Sequence, residues 1–376
     1  MSSELPSTMR AWVYRTKGLP SEILKLEINI ETPKIANLAP DEVLVEVYYS
    51  ALNNISTQLM QTLRPRPLGF FISQKNRLAI PEIELGGRLI AAGKNVLSRR
   101  PDLKLGDLVI GLTDPAKSMR DGSGALAEYA VLPVAHVVPY QLPSGEQEQL
   151  SLAEWSALGG VGCTAIQVTE RAGLKAGDKI LVNGSSGGAG TTVIQVARYI
   201  LGPSGHIVAT CSASNIDLVK SLGADEVIDY QQCGPLHTYL AMSVHAQTPF
   251  DAIIDCVGIQ DLFIHSPTYL ALGKNFINIG SLELEHSIKG TLHWVWLAFW
   301  NQYCPLIFGG IPRHFEFYSA EPDVQSLEKL RKLTQERKLR PVVDSVWEFE
   351  DASKAYQIME NKRAKGKIVI RVKASD

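Results

Sequence analysis

The segment Lys179–Ala197, KILVNGSSGGAGTTVIQVA, constrains this 376-residue chain more than any other. An apolar run suited to a strand leads into Gly184-Ser-Ser-Gly187-Gly188-Ala-Gly190, and a helix-like run follows at once. Glycines there let the backbone turn tightly and approach a pyrophosphate. The helix start behind them offers free N–H groups and the positive end of a dipole. The spacing is GxxGxxG rather than GxGxxG, and a glycine-rich turn without a ligand is the plain alternative. The elements downstream weigh against that alternative. HIVATC, EVIDY, FDAIIDCVG and NFINIG read as further strands, with TTVIQVARYIL and NIDLVKSLG as helices among them. Runs such as ILV, IVA and AIID suit strands buried on both faces, which implies a parallel sheet covered by helices.

The end of HIVATC bears on which dinucleotide would fit. An acidic residue there would hold the ribose 2′-hydroxyl of NAD. The chain has Thr210, Cys211, Ser212 and Ala213 instead, and no Asp or Glu until Asp217. Ser212, Ser214 and Asn215 are neutral donors that admit a 2′-phosphate, which a carboxylate would repel. NADP is therefore expected. Ser214 and Asn215 also suit a helix N-cap, and both roles can hold together.

Residues 9–150 have another texture. MRAWVYR, EVLVEVYYSAL, the run from Asp107, ALAEYAVLP and HVVPY read as short strands closely punctuated by Gly and Pro, as in a barrel-like fold. Near Ser151 the texture changes, and LAEWSALGGVGCTAIQVTERAG reads as a helix pair with a Gly-rich break. After Pro322 come a helix, VQSLEKLRKLTQERK, a strand around VVDSVWEF, a helix from Asp351 to Glu360 and the strand KIVIRV. The parallel sheet is complete before this tail, so the tail is expected to rejoin the first unit. The expected fold class is α/β with two domains, 1–150 with 338–376 and 151–337.

Composition excludes several classes. A formal net charge of −2 leaves no electrostatic footprint for nucleic acid. The five cysteines are scattered, without a CxxC pair or Cys/His cluster, so neither a zinc knuckle nor a disulfide framework is expected. MSSELPSTMR lacks the pattern of a signal or transit peptide, and a cytoplasmic location is expected. The most apolar stretch, Leu292–Phe308, is broken by His293, Asn301, Gln302 and Pro305. A membrane span needs ~20 mostly apolar residues, so the stretch is expected to be a wall of the substrate cleft or a subunit contact.

With these pieces in place, the chain resembles the medium-chain dehydrogenase/reductase family, in its quinone oxidoreductase and alkenal/enone reductase branch. The resemblance runs from Met9 to about Val372. The glycine segment and the closing PVVDSVWEFEDASKAYQIMENKRAKGKIVI carry it, supported by PDEVLVEVYYSALN, KLGDLVIG, GALAEYAVLP and FDAIIDCVG. It implies a GroES-like β-rich catalytic domain made from both chain ends and a Rossmann domain between them. It also implies that Ser186, Gly187, Gly188, Ala189 and Gly190 lie at the pyrophosphate, and Ser212, Ser214 and Asn215 at the adenine-ribose phosphate. Tyr230 would pack beside that phosphate, with a core tyrosine as the alternative. Thr164, Val257 and Gly258 would lie near the nicotinamide.

Zinc-dependent members of the family carry a ligand Cys where this chain has Asn53, a Gly-His-Glu ligand motif downstream and a four-Cys lobe, none of which occurs here. A zinc-free enzyme is expected. The family's Asn-Pro appears as Asn53-Asn54, a frequent Tyr as Gln58, and Pro-Gly-x-Asp-x-x-Gly as Pro81-Glu-Ile-Glu84-Leu-Gly-Gly87. The expected activity is NADPH-dependent hydride transfer to the conjugated double bond of a small hydrophobic enone or alkenal, or to a quinone. Asn53 and Gln58 are the candidate catalytic residues, orienting the carbonyl whose oxygen gains charge. A turn-stabilising role is the alternative for Asn53. Two other readings stay open. One is a trans-acting enoyl-thioester reductase of a lipid or polyketide pathway, because ATCSASNIDLVKSLGADEVIDY resembles such enzymes too. The other is an NADPH-binding scaffold, like a lens crystallin, with little turnover. A homodimer is the expected assembly.

Overall fold

The computed structural model describes residues 5–67, 77–140, 150–281 and 286–374. Residues 68–76 of the stretch Gln61–Leu78, which looks long for the family, lie outside the described residues. In chain order the strands are β1 Thr8–Val13, β2 Lys25–Glu31, β3 Glu42–Ala51, β4 Glu84–Ala92, β5 Leu108–Leu112, β6 Tyr129–Pro133, β7 Val137–Pro139, β8 Lys179–Asn183, β9 His206–Cys211, β10 Glu226–Asp229, β11 Phe250–Asp255, β12 Leu270–Asn278, β13 His314–Phe317, β14 Val343–Glu348 and β15 Lys367–Arg371.

Two compact units result. One comprises Met1–Gly160, Pro322–Glu328 and Val343–Asp376; the other comprises Val161–Glu321 and Lys329–Val342. The texture change at Ser151 marks the start of a helix, Leu152–Ser156, that belongs with the first unit. It packs on β4 where glycine leaves room: a Cβ on Gly86 would lie 3.1 Å from the Leu152 side chain.

The first unit is β-rich. A seven-stranded sheet runs β14-β15-β3-β4-β5-β7, with β6 paired to β3, and β1 pairs with β2. Its long strand β3, EVLVEVYYSA, buries Val43, Val45 and Val47 against Leu85, Leu89, Val109 and Leu132. The returning tail adds Phe349, Tyr356 and Ile370 to the same core. Burial of such side chains contributes roughly 1.5–3 kcal/mol each.

The second unit is a six-stranded parallel sheet in the order β10-β9-β8-β11-β12-β13. Ile180, Leu181 and Val182 on β8, with Ile253 and Ile254 on β11, are fully buried, which explains their unbroken apolar runs. From β8 the chain moves outward through β9 and β10, then returns to β11 on the other side. Such a reversal of strand order opens a crevice beyond the strand ends, the usual ligand site of an open α/β sheet.

Candidate cofactor and substrate-orienting sites

The glycine loop lies at that reversal. Gly184 takes φ 75°, a left-handed conformation, directly after β8. The helix Gly188–Leu201 then begins with Gly187 as its N-cap, and no side chain caps it. Its first N–H groups are thus left for a ligand. Gly190 cannot carry a side chain, because a Cβ there would lie 2.3 Å from the Gly184 carbonyl oxygen. Ser186, Gly187, Gly188 and Ala189 are half-buried on the open side, while Gly190 is buried beneath them. The loop therefore fits a pyrophosphate on its outer face and close helix packing on its inner one.

A buried network ties this loop to its neighbours. The Gly184 N–H donates to Thr210 Oγ1 at 2.9 Å, and that hydroxyl donates to Asn183 Oδ1 at 2.6 Å. Asn183 Nδ2 donates to Asp255 Oδ1 at 2.8 Å. Asp255, at the end of β11, also accepts the backbone N–H groups of Val257, Gly258 and Ile259 at 2.9–3.0 Å. Burial pushes its carboxyl up, and these hydrogen bonds pull it back. Gly258 has φ 87° and Gly280 touches it backbone to backbone, since a Cβ on Gly280 would meet the Val257 carbonyl carbon at 2.1 Å. Val257 and Gly258 are held by the fold itself. A pocket of about 20 Å³ beside them, lined by Gly258, Gln260, Trp294 and Asn301, has room for about one water.

At the far side of the reversal, Ser212, Ser214 and Asn215 bond one another at 3.3–3.4 Å. Neither Ser212 nor Asn215 caps the helical turn it precedes. Asp229 stands opposite Cys211 in the strand register, and its oxygen Oδ1 accepts the Gln231 N–H at 3.0 Å. This acid belongs to β10, one strand over from Cys211. Tyr230 follows it and is 52% exposed, so it is no core tyrosine. Thr164 is half-buried in the helix Gly159–Arg171.

In the β-rich unit, Asn53 and Gln58 lie at the start and middle of one element, with Asn53 the N-cap of the helix Asn54–Thr62 and both half-buried. The Asn53 side chain does not cap that helix. Its Nδ2 donates to the Ala51 carbonyl at 3.1 Å and to Glu82 Oε2 at 3.2 Å. Its Oδ1 accepts from Lys367 Nζ at 2.7 Å. Both N–H groups are thus engaged, and direct donation to a substrate requires one of these bonds to open. Glu82 also accepts from Ser56 Oγ at 3.0 Å and from the Tyr356 hydroxyl at 2.5 Å. Burial raises its carboxyl from an ordinary 4.5 to about 7, against the pull of Tyr356, Lys367, Asn53 and Ser56. Lys367 pairs with the buried Glu84 at 2.9 Å. Among the described residues no three His, Cys, Asp or Glu side chains gather as a metal ion would need. An asparagine amide bound to an ammonium at this place does not fit zinc.

The stretch Leu292–Phe308 lies mostly on a helix, Ile288–Tyr303, that precedes β13. Gly280 and Ser281, before it, follow the fifth strand of the sheet in chain order; the sixth, β13, comes after the helix. Trp294 packs edge-on against Phe317 at 4.7 Å, and the Asn301 amide pairs reciprocally with Gln260. The rest is not buried within the chain: Trp296 is 50% exposed and Phe299 63%. Leu292, Val295, Trp296, Phe299, Trp300 and Tyr303 recur at helical spacing as one exposed stripe. No helix among the described residues is long and apolar enough to cross a membrane.

Comparison with known proteins agrees with this architecture. Residues 222–370 match a family model described as zinc-binding dehydrogenase. A trans-enoyl reductase of Penicillium oxalicum is 43% identical, over 97% of this chain and 98% of its own. A medium chain reductase of Acremonium sp is 35% identical, over 98% of this chain and 100% of its own. The solved quinone oxidoreductase of Coxiella burnetii shares the fold, with TM-score 0.76 and 24% identity, covering 97% of this chain and 100% of that one. With the reversed parallel sheet, its glycine loop and full-length relatives of this identity, the chain belongs to the medium-chain dehydrogenase/reductase family.

Proposed function

We propose that the chain is a zinc-free, NADPH-dependent reductase of the conjugated carbon–carbon double bond of an enoyl substrate, with the thioester favoured over a free enone or a quinone. The observation that carries this choice is the 43% identity, over nearly the whole of both chains, to a protein named trans-enoyl reductase. The likeness to a quinone oxidoreductase, at 24%, speaks for fold alone.

The residues of the glycine loop and the Asp255-held turn suit the pyrophosphate and the nicotinamide end of a nicotinamide dinucleotide, which when bound supplies the hydride. Ser186 to Gly190 would hold the pyrophosphate. The mutually bonded Ser212, Ser214 and Asn215 would donate to a 2′-phosphate, and Tyr230 would lie over it. Thr164, Val257 and Gly258 would border the nicotinamide. On the substrate side, Gln58 and Asn53, each once its present bonds open, would orient the carbonyl and stabilise charge on its oxygen. Neither amide is an acid, so neither would supply the proton for the carbon, which would come from water.

A panel of enoyl-thioesters, enones and quinones, each assayed with NADPH and with NADH, tests the reading. The expected result is turnover of enoyl-thioesters with NADPH in preference to NADH. Turnover of quinones alone would return the first of the sequence readings. No turnover at all, with NADPH bound, would favour the scaffold. Calorimetry showing equal or tighter NADH binding would overturn the cofactor assignment.

The exposed stripe on the helix Ile288–Tyr303 supports a homodimer. Each aromatic side chain offers 150–250 Å² when fully buried, so six half-exposed apolar residues and the following Leu306, Ile307 and Phe308 present on the order of 1,000 Å². That matches the ~800 Å² per partner of a stable interface. The neighbouring β13 is the end strand of its sheet.

A further inference from the structure

Glu82 occupies a position that its own backbone resists. Its φ of 69° lies in the left-handed region, where glycine sits without strain and a glutamate does not. Its side chain is 2% exposed. Strained backbone and a buried carboxyl persist together only where the surroundings over-determine them.

The surroundings do so by hydrogen bonds and charge. Two buried carboxyls, Glu82 and Glu84, share one buried ammonium, Lys367. Lys367 touches Glu84 directly at 2.9 Å and reaches Glu82 through the Asn53 amide, which accepts from the ammonium and donates to the carboxylate. Three donors converge on Glu82: Tyr356 on Oε1, and Asn53 and Ser56 on Oε2. A carboxylate accepts all three. A protonated carboxyl must donate, and the Asn53 N–H cannot accept, so at least one of these bonds turns or breaks. Tyr14 is the other titratable group facing this carboxyl, and its hydroxyl is pushed up to about 12 by burial first and then by Glu82.

We propose that Glu82 is a positioning residue, whose ionised carboxylate fixes the Asn53 side chain and the first turn of the helix Asn54–Thr62, and whose protonation loosens that turn. The effect on turnover rests on the reading of Asn53 and Gln58 as substrate-orienting residues. The burial that holds this carboxyl near neutrality places the change within ordinary working pH.

The test follows the Asn53 side-chain amide by NMR in the full chain labelled with nitrogen-15 asparagine, from about pH 5 to about pH 9. Loss of the signal in Asn53→Ala identifies it. In the wild type the signal is expected to move along one titration curve near neutrality, and in Glu82→Gln to stay fixed. A wild-type signal that ignores pH, or one that still titrates in Glu82→Gln, overturns the proposal. Glu82→Gly suits the left-handed backbone and carries the same expectation if the glutamine variant does not fold. In turnover, kcat of the wild type is expected to fall about tenfold on the acid side, and Glu82→Gln to be low at every pH with KM for NADPH unchanged. Full activity of Glu82→Gln across the range would overturn the positioning role. If the wild type turns nothing over, the amide titration still decides for Glu82, while the reductase reading falls by itself.

Discussion

Asp255 and Glu82 are both fully buried carboxyls, one in each unit, and they are held by different means. Asp255 accepts three backbone N–H groups and the amide of Asn183. Among the described residues, the donors to Glu82 are all side chains, of Asn53, Ser56 and Tyr356. Backbone donors are fixed by the course of the chain, so Asp255 is part of the fold's own geometry. Side-chain donors can rotate, and their grip depends on the charge they face. The first arrangement makes a rigid turn; the second can respond to pH.

The largest effect is expected from placing a carboxylate in the glycine loop, at the start of the helix Gly188–Leu201. Gly188→Asp places an acid at a helix start whose N–H groups welcome it, so the protein should fold. The same acid would meet the pyrophosphate, and NADPH affinity should drop at least 100-fold by calorimetry. Normal binding would mean that the glycine loop is not the phosphate cradle. Next comes Asp255→Asn. Its new N–H group would confront the Ile259 N–H, which cannot turn away, at a cost of about 1–3 kcal/mol in denaturant unfolding and about tenfold in NADPH affinity. Glu82→Gln confronts only the Asn53 side chain and should cost less. Equal losses would erase the distinction drawn between the two.

Glu82 should also leave a pH signature in stability. Its folded pKa is raised, from 4.5 to about 7, so the stabilisation by the bound proton is full below about pH 4.5 and is lost as pH rises through about 7. The wild type should therefore lose up to about 3 kcal/mol relative to Glu82→Gln across that window. A difference independent of pH would mean that the carboxyl does not titrate there. The smallest effect on monomer stability is expected from Trp296→Ser with Trp300→Ser, because both side chains are exposed in the single chain. Their readout is oligomeric mass, which should fall to that of a monomer. Unchanged mass would place the contact elsewhere.

The Asp255 side of the comparison was largely legible in the sequence, and the Glu82 side was not. Strands β8, β9, β10 and β11 declare themselves by apolar runs, and the glycine spacing marks the turn between β8 and its helix. What holds that turn was less visible: Thr210 and Asn183 read as strand ends, and their bonds appear only once the parallel register places β9, β8 and β11 side by side. Pro81-Glu82-Ile83-Glu84 stood out as a departure from the family pattern. Nothing local shows that Tyr356, 274 residues away, donates to Glu82. β4, β2 and the helix Asn54–Thr62 went unread: β4 is diluted by Gly86 and Gly87, β2 is largely polar and exposed, and the helix has no side-chain cap. The aromatic stretch was expected to be a wall of the substrate cleft or a subunit contact. Its composition suits burial, yet Leu292, Val295, Trp296, Phe299, Trp300 and Tyr303 are exposed in the single chain.

The chain of bonds from Gly184 through Thr210 and Asn183 to Asp255 joins the glycine turn after β8 to the turn after β11. Groups linked this way lose their freedom together, so the entropy spent in ordering one turn is not spent again on the other. Two halves of a dinucleotide offered separately would therefore help each other bind. An adenosine bisphosphate fragment should raise the affinity for a nicotinamide riboside, which carries no phosphate to meet it, and by reciprocity the second should raise the affinity for the first by the same factor.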